Sequence, residues 1–328
     1  MFKILNSEYS SQSDFDIFYN KIEKVIIGYP YYHYQNYPSK NTTGWVNIFL
    51  HVLKKCLSNK NHYLFYEDST ITPVFIVYHI NKWDFEHFGI RMANSILVFS
   101  FPNTNINILD GFINKGIKHL DKLGVQFVST RINGDNLSLI NAHLKNYFKY
   151  YETIIRPVLK TKHIVKKIEP CKVLTDKKKL NIVKNIAEKY QYQRGHYHCD
   201  SNFNKDKVNS MYAKWVETSF YSDDNICIIE KKGTIVGYFI CSIDSTLEKY
   251  LGYKYGRLKA LVLNSEYRGE GLGIKLFAST LSYLQKNGCA YIESGYPAKN
   301  HLSSFLHSAN HFHSNYEEVS LHYWITDI

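Results

Sequence analysis

Apolar and polar positions in the second half of the chain predict helices and strands in a clear order. A polar aromatic loop over 191–204 lies between two predicted helices, and the strands over 226–231 and 234–243 form a predicted hairpin. An apolar strand over 258–263 then leads into a glycine-rich loop and an amphipathic helix over 273–286. The pattern therefore predicts two helices, antiparallel strands and a strand–loop–helix unit.

The first half alternates in the same manner. It predicts a helix over 106–123, a strand over 125–130, a helix over 135–148 and a strand over 150–159. Asp135 is the expected N-cap of the third of these elements. Strands alternating with helices along the whole chain predict the α/β class.

The length of 328 residues suits two domains. Lysines and Pro170 interrupt the pattern between residues 161 and 175. The sequence therefore predicts an N-terminal α/β domain over 1–165 and a second domain over 166–328.

Charge and cysteine content narrow the class of protein. The net charge of +11 is spread along the chain, which favours small polyanions over nucleic acid as partners. The six cysteines show no C-x-x-C spacing, so free thiols are expected rather than a disulfide framework or a zinc site. Without a signal-like N-terminus or an apolar run of about 18 residues, a soluble cytoplasmic protein without membrane association is expected.

The tract from Arg268 to Gly273 is the most informative motif. Glycines let the backbone approach a ligand closely, and the N–H groups of a helix start attract phosphate. The order G-x-G-x-G differs from the dinucleotide fingerprint G-x-G-x-x-G, and the Gly-Lys-Ser/Thr of a P-loop is absent. The tract therefore predicts a pyrophosphate seat of another kind.

This Arg-x-x-Gly-x-Gly tract, between an apolar strand and an amphipathic helix, resembles the acyl-CoA site of the GNAT N-acyltransferases. The resemblance implies a GNAT fold for 166–328, with a mixed, largely antiparallel twisted sheet flanked by helices. It leaves open whether the N-terminal domain is a degenerate GNAT-like half. Acyl-CoA is the implied co-substrate, without a metal. The implied cofactor-binding residues are Leu261, Val262, Leu263, Arg268, Gly269, Gly271, Leu272, Gly273 and Asn300.

Residues 300–312 resemble the family's Asn-led helix. Asn300 and Phe312 match the family pattern, whereas His307 stands where a Tyr is expected and His311 where a Gly is expected. The Tyr of the family protonates the departing CoA thiolate. An imidazole with a reference pKa of ~6.5 is partly protonated near neutrality, so His307 is the expected acid.

Residues 196–203 and the helix after them resemble the acyltransferases that act on dTDP-linked amino-deoxysugars. Sugars bind to aromatic faces and to a few oriented polar groups. The implied acceptor-binding residues are His196, Tyr197, His198, Asp200, Tyr212 and Trp215. Because the incoming amine must lose a proton, Glu293, His198, Asp200 and His196 are the alternative bases.

The resemblance implies direct transfer of an acyl group from acyl-CoA to the amine of a nucleotide-linked amino sugar, serving glycan or surface polysaccharide synthesis. Acylation of a protein N-terminus, a polyamine or an aminoglycoside stays an alternative, as does a non-catalytic CoA-binding module. The acyl group, the sugar and homodimer formation are left open.

Overall fold

The computed structural model describes residues 2–28, 42–67, 73–101, 103–164 and 168–325. The chain divides into two compact units, Met1–Thr153 with Tyr316–Ile328, and Ile154–Asn315. This division differs from the predicted domains, because the chain returns to the first unit for its last strand. The predicted boundary between residues 165 and 166 lies outside the described residues, so the independence of two domains stays a prediction.

The first unit is a mixed sheet with helices. In chain order its described elements are β1 (Phe2–Leu5), α1 (Gln12–Gly28), α2 (Thr42–Leu57), β2 (His62–Glu67), β3 (Val74–Ile80), α3 (Lys82–Phe88), β4 (Met92–Ser100), α4 (Ile106–Lys122), β5 (Phe127–Asn133) and α5 (Leu137–Lys145). Strand β13 (His313–Trp324) completes its sheet, in the order β1-β2-β3-β4-β5-β13. Strands β4 and β5 are parallel, and the other neighbours are antiparallel.

The second unit repeats this arrangement. Its described elements are β6 (Lys149–Lys160), β7 (Lys172–Val173), α6 (Leu180–Tyr190), α7 (His196–Cys199), α8 (Lys205–Phe220), β8 (Asn225–Lys231), β9 (Thr234–Asp244), α9 (Ser245–Leu251), β10 (Lys254–Leu263), α10 (Leu272–Lys286), β11 (Cys289–Glu293), β12 (Tyr296–Pro297) and α11 (His301–Ala309). The sheet order is β7-β8-β9-β10-β11-β6, and only the β10–β11 pair of these neighbours is parallel. Strand β12 adds to β6.

The last strand of each sheet comes from the other half of the sequence. Strand β6 follows α5 along the chain but pairs with β11, while β13 follows α11 but pairs with β5. Both units thus share one strand pattern with exchanged final strands.

Two apolar clusters cover the faces of the second sheet. One contains Leu263, Leu276 and Phe277, and it lies under α10 and α11. The other contains Val183, Val216 and Val262, and it lies under α6 and α8. Strand β10 contributes to both clusters, so it is the strand between the two helical layers.

The structure confirms the α/β fold class and corrects several local expectations. Asn136, rather than Asp135, caps α5, and its side chain accepts the N–H of Leu139 at 3.2 Å. Helix α9 and the long strand β13 have no counterpart in the predicted elements.

The expectation of free thiols throughout is also wrong. Cys171 forms a disulfide with Cys227, because the pairing of β7 with β8 brings their Cα atoms to 5.6 Å. Cys56, Cys199, Cys241 and Cys289 are free. Among the described helices none is long and apolar enough to cross a membrane.

Candidate active site

The glycine loop has the backbone that a helix start open to an anion requires. Gly269 and Gly271 have φ angles of 83° and 75°, a left-handed conformation that disfavours other residues. Gly271 is the N-cap of α10 and supplies no side-chain hydrogen bond. Among the described residues no acceptor is found for the N–H groups from Gly271 to Ile274. These donors and the helix dipole together favour an anion at this point.

Arg268 ties the glycine loop to the rest of the unit. Its Nη2 donates to the carbonyl of Tyr190 at 3.2 Å and to that of Leu263 at 3.4 Å. The residue itself is exposed, like Gly269, Glu270 and Gly271. The guanidinium therefore joins the end of α6 to the end of β10 beside an open loop.

Strands β10 and β11 part six residues before the end of β10, which leads into this loop. Their parallel pairing covers Lys254 to Arg257 on β10 and ends at the pair Arg257–Glu293. Beyond it, β10 pairs only with β9 among the described strands, with an irregularity between Leu258 and Ala260. The backbone of 258–263 is left with one edge that no strand covers. Leu261, Val262 and Leu263, the residues predicted to pair with a pantetheine arm, lie on this stretch.

A row of charged side chains crosses the sheet where the two strands part. Arg257 Nη1 donates to Glu293 Oε1 at 3.1 Å. Its Nε and Nη2 donate to Asp244 Oδ2 at 3.3 and 3.2 Å. Glu293, one of the predicted bases, is therefore a buried member of an ion-pair row rather than an isolated carboxylate.

Asn300 starts α11, as the predicted Asn-led helix requires. Its side chain accepts the N–H of Ser303 at 3.2 Å, which makes it the N-cap. At the other end of the helix, His311 has a φ angle of 60°. This left-handed backbone favours glycine, which is the residue that the family pattern leads one to expect there.

His307 is enclosed by aromatic rings. It is 4% exposed, stacks on Tyr296 at 4.6 Å, and meets the edges of Phe277 and Phe312 at 5.0 and 4.9 Å. Its Nδ1 lies 2.6 Å from the carbonyl of Ser303, so Nδ1 carries the proton and donates. Nε2 is buried without a hydrogen-bond partner.

Burial lowers the pKa of His307 to about 4, against a smaller opposing effect of the Ser303 carbonyl. The imidazole is therefore neutral at pH 7, and its only proton is held by a carbonyl. The expectation of a partly protonated imidazole is corrected here, because it used the reference pKa of an exposed histidine.

The predicted acceptor rings lie along α7 and α8 and make contacts in two groups. His196 and Tyr197 lie 4.0 Å apart, and His198 stacks on Tyr212 at 5.8 Å. Tyr212 in turn lies 6.3 Å from Trp215, whose side chain is 37% exposed. These five rings are called here the aromatic acceptor cluster; Trp215 is its exposed member and the other four rings are half-buried.

Asp200 supports the acceptor loop from within. It is 1% exposed, and its Oδ1 accepts the N–H of Asn202 at 3.1 Å. A buried carboxylate that closes a turn holds the loop in shape.

Asn209 orients His198. Its Oδ1 accepts from His198 Nε2 at 3.0 Å and from Gln191 Nε2 at 2.7 Å. Nε2 of His198 thus carries the proton, and Nδ1 keeps a lone pair and has no hydrogen-bond partner. Burial lowers the pKa of His198, with Asn209 raising it and Lys205 lowering it to smaller extents.

The donor loop and the acceptor residues share the second unit, whereas His307 lies on the other face of its sheet. Tyr212 packs against the cluster that contains Val262, and Arg268 binds the residue just before the acceptor loop. His307 lies on the opposite face, against Phe277 of α10. The described residues contain no group of three or more His, Cys, Asp or Glu that could hold a metal ion.

Sequence reasoning missed Arg257, Asp244 and Asn209. Arg257 stands in a strand of otherwise mainly apolar and aromatic residues, and a charged residue in such a strand is a signal that could have been used. Asp244 and Asn209 carry no comparable signal, because their partners are distant along the chain.

Comparison with known proteins agrees with this geometry. Residues 189–307 match the model of the Acetyltransferase (GNAT) family. A GCN5-related N-acetyltransferase from Sphaerobacter thermophilus has a similar structure, with a TM-score of 0.63, 10% identity, and coverage of 99% of this chain and 96% of that one. A tandem GNAT protein from the clavulanic acid biosynthesis pathway gives a TM-score of 0.56 at 10% identity, over 100% and 99% of the two chains.

No curated protein matches the chain. At 10% identity the two structural likenesses show the fold. The chain therefore has a two-unit GNAT-like fold, and its residues 189–307 are similar to the GNAT acetyltransferase family.

Proposed function

We propose that the protein transfers an acyl group from acyl-CoA directly to the amine of a nucleotide-linked amino-deoxysugar, with dTDP as the expected nucleotide and the cytoplasm as the compartment. One observation carries the donor half of this proposal. A helix start with vacant N–H donors stands at the end of a strand whose other edge is uncovered. An anion followed by an amide-bearing arm is the ligand that such an arrangement suits.

On the donor side, the pyrophosphate takes the N–H groups at the start of α10, and the glycines allow its close approach. The amides of the pantetheine arm pair with the backbone of Leu261, Val262 and Leu263. Asn300 and Leu272 complete the donor site. Arg268 keeps the loop joined to α6 and adds positive charge beside the phosphates.

The first unit supports this assignment by contrast. Its matching helix start, at α4, is capped by Asn105, whose side chain accepts the N–H of Asn107 at 2.9 Å. The described residues of the loop between β4 and α4 are Phe101, Asn103, Thr104 and Asn105, and none of these is a glycine or an arginine. The unpaired N–H groups at a helix start belong to the second unit, so we assign one acyl-CoA site to each chain.

On the acceptor side, the aromatic acceptor cluster stacks on the sugar and the base. His196 and the carboxylate-closed loop at Asp200 supply oriented polar groups. This arrangement differs from what a polyamine needs, since a polycation is best met by several exposed carboxylates.

The proton from the amine goes to one of two groups. His198 keeps an unprotonated but buried Nδ1, because Asn209 holds its Nε2–H, and Glu293 is the alternative base. Orientation of the amine against the thioester contributes most of the acceleration, at ~7–11 kcal/mol for well-aligned reactants. The CoA thiolate is a fair leaving group, since thiols have a reference pKa of ~8.5, so water can protonate it without His307.

The function is tested by incubating the protein with acetyl-CoA and a panel of dTDP- and UDP-linked amino sugars, and by following product mass. The expected result is one acyl group added to an amino sugar, with CoA released in equal amount. If only a peptide, a polyamine or an aminoglycoside is acylated, the acceptor is wrong. If acetyl-CoA binds but nothing is acylated by fresh protein, the non-catalytic alternative holds.

A further inference from the structure

The pair Arg257–Glu293 stands at the closed end of the gap between β10 and β11. It is the last residue pair of their parallel ladder, and the two side chains bond to each other at 3.1 Å. Asp244 holds the guanidinium from β9, and its other oxygen accepts the N–H groups of Thr246 and Leu247 at the start of α9. The pair is thus fixed from three neighbouring strands and a helix.

The opposite side of this closed end is filled by the core. A Cβ added at Gly256 would lie 3.0 Å from Leu284 Cδ1, 3.3 Å from Ile292 Cγ1 and 3.4 Å from Cys289 Sγ. Even one added carbon there is tighter than ordinary packing allows. The paired strands, the Arg257–Glu293 ion pair and the packed core at Gly256 therefore all close the gap between β10 and β11 at the same position.

The direction of the donor follows from the fold. The phosphate loop comes after the C-terminal end of β10, so an arm running along the uncovered edge passes from Leu263 towards Leu258. Five residue steps at ~3.3 Å each give a path of roughly 17 Å. The pantetheine arm is of comparable length, so its thioester arrives near Leu258 and its acyl carbons point at Arg257 and Glu293.

We propose that the Arg257–Glu293 pair closes the acyl end of the donor site and restricts the protein to short acyl groups such as acetyl and propionyl. This inference rests on the proposed function for the place and direction of acyl-CoA. A longer chain would have to separate paired strands or displace Glu293, whose side chain is only 7% exposed. Either change leaves a charge or backbone groups buried without partners, which is costly.

Binding to the intact protein tests the inference without knowledge of the acceptor. Calorimetry would compare CoA, acetyl-CoA, propionyl-CoA, butyryl-CoA and hexanoyl-CoA. We expect acetyl-CoA and propionyl-CoA to bind about as well as CoA, and hexanoyl-CoA to bind at least ten times more weakly. Equal affinity for acetyl-CoA and hexanoyl-CoA would overturn the closure. Failure of CoA itself to bind would overturn the proposed function, and this inference with it.

Removing both charges at once should open the acyl end. In Arg257→Ala with Glu293→Ala, the ratio of hexanoyl-CoA to acetyl-CoA affinity should rise at least tenfold over the wild-type ratio. The conservative pair Arg257→Lys with Glu293→Asp should stay near the wild-type ratio.

A matched control removes the ion pair of Lys184 and Glu217, which joins α6 to α8 at 3.0 Å, by alanine at both positions. This variant should leave the ratio of hexanoyl-CoA to acetyl-CoA affinity unchanged. A folded Arg257→Ala/Glu293→Ala protein with the wild-type ratio would show that another part of the site sets the acyl length. Circular dichroism checks folding, and the wild-type donor series decides the question if the double variant does not fold.

Discussion

At the scale of single residues, His307 shows how burial changes the chemistry available to a side chain. Its place in the sequence suggested an acid, but burial among three aromatic rings keeps it neutral, against the smaller opposing effect of the Ser303 carbonyl. Such a residue contributes to stability through its uncharged form. The measurable consequence lies in the pH dependence of folding.

We predict that stability falls on acidification partly because of His307. Its pKa is lowered to about 4 in the folded state, from ~6.5 when unfolded, so its contribution is complete above pH 6.5 and is lost as the pH falls towards 4. The full effect is on the order of 3 kcal/mol. Urea unfolding between pH 7.5 and 4.5 should show a shallower loss in His307→Phe than in wild type. Parallel curves would contradict the buried neutral state.

The second prediction at this scale concerns the acceptor side. His198→Ala and Asn209→Leu should each raise the KM for the amino sugar or lower kcat by ~10–100-fold, since the first removes the base and the second frees its tautomer. The Kd for acetyl-CoA should stay within twofold of wild type. Steady-state kinetics and calorimetry together check this. Loss of acetyl-CoA affinity in both variants would mean that the cluster binds the donor.

At the scale of elements, the described helices differ in how the N–H groups of their first turn are hydrogen-bonded. The side chain of Asn105 accepts one N–H group of the first turn of α4, and that of Asn300 accepts one of the first turn of α11. Helix α10 begins at a glycine and leaves its donors vacant. A helix start without a side-chain cap leaves its first N–H groups to water or to a ligand, and the proposed ligand here is the pyrophosphate of acyl-CoA.

Asn300 allows the cap and the proposed ligand contact to be separated. Asn300→Ala should cost about 1 kcal/mol of unfolding free energy through loss of the cap, whereas Asn300→Ser should largely keep it. If Asn300 also contacts acyl-CoA as proposed, both variants should bind acetyl-CoA several-fold more weakly. Wild-type affinity in Asn300→Ser would leave Asn300 as a cap alone. Urea unfolding and calorimetry measure the two effects.

At the scale of the whole molecule, the two units have the same strand order but differ in whether they carry the loop proposed to bind acyl-CoA. Each has a parallel pair flanked by antiparallel strands, and each receives its last strand from the other half of the chain. Only the second carries Arg-x-x-Gly-x-Gly after that pair's first strand. The two units therefore share a fold, and we place the acyl-CoA site in the second unit.

This assignment predicts a stoichiometry. Titration of acetyl-CoA should saturate at one molecule per chain, because the start of α4 is capped by Asn105 and lacks the Arg-x-x-Gly-x-Gly loop that precedes α10. Calorimetry or native mass spectrometry would count the bound molecules. Two equivalent sites per chain would contradict the difference between the units.

The sequence predicted those parts of the molecule that depend on neighbouring residues. The strand, loop and helix around Gly271, the hairpin before them and the aromatic loop all follow from local periodicity and turn chemistry. The row through Arg257 and the exchange of β6 and β13 did not follow, because they depend on pairings between distant segments. The neutral state of His307 also escaped prediction, since burial is a property of the folded chain.

The central claim, an acyl-CoA site at the start of α10, is tested most directly by one calorimetric comparison. Gly271 and Gly252 have φ angles of 75° and 77°, and neither would bring an added Cβ within 4 Å of another group. Gly271→Ala and Gly252→Ala should therefore lose similar stability, roughly 1–2 kcal/mol from the left-handed backbone. We expect acetyl-CoA to bind at least ten times more weakly to Gly271→Ala and with unchanged affinity to Gly252→Ala. Equal affinity of both folded variants for acetyl-CoA would contradict it.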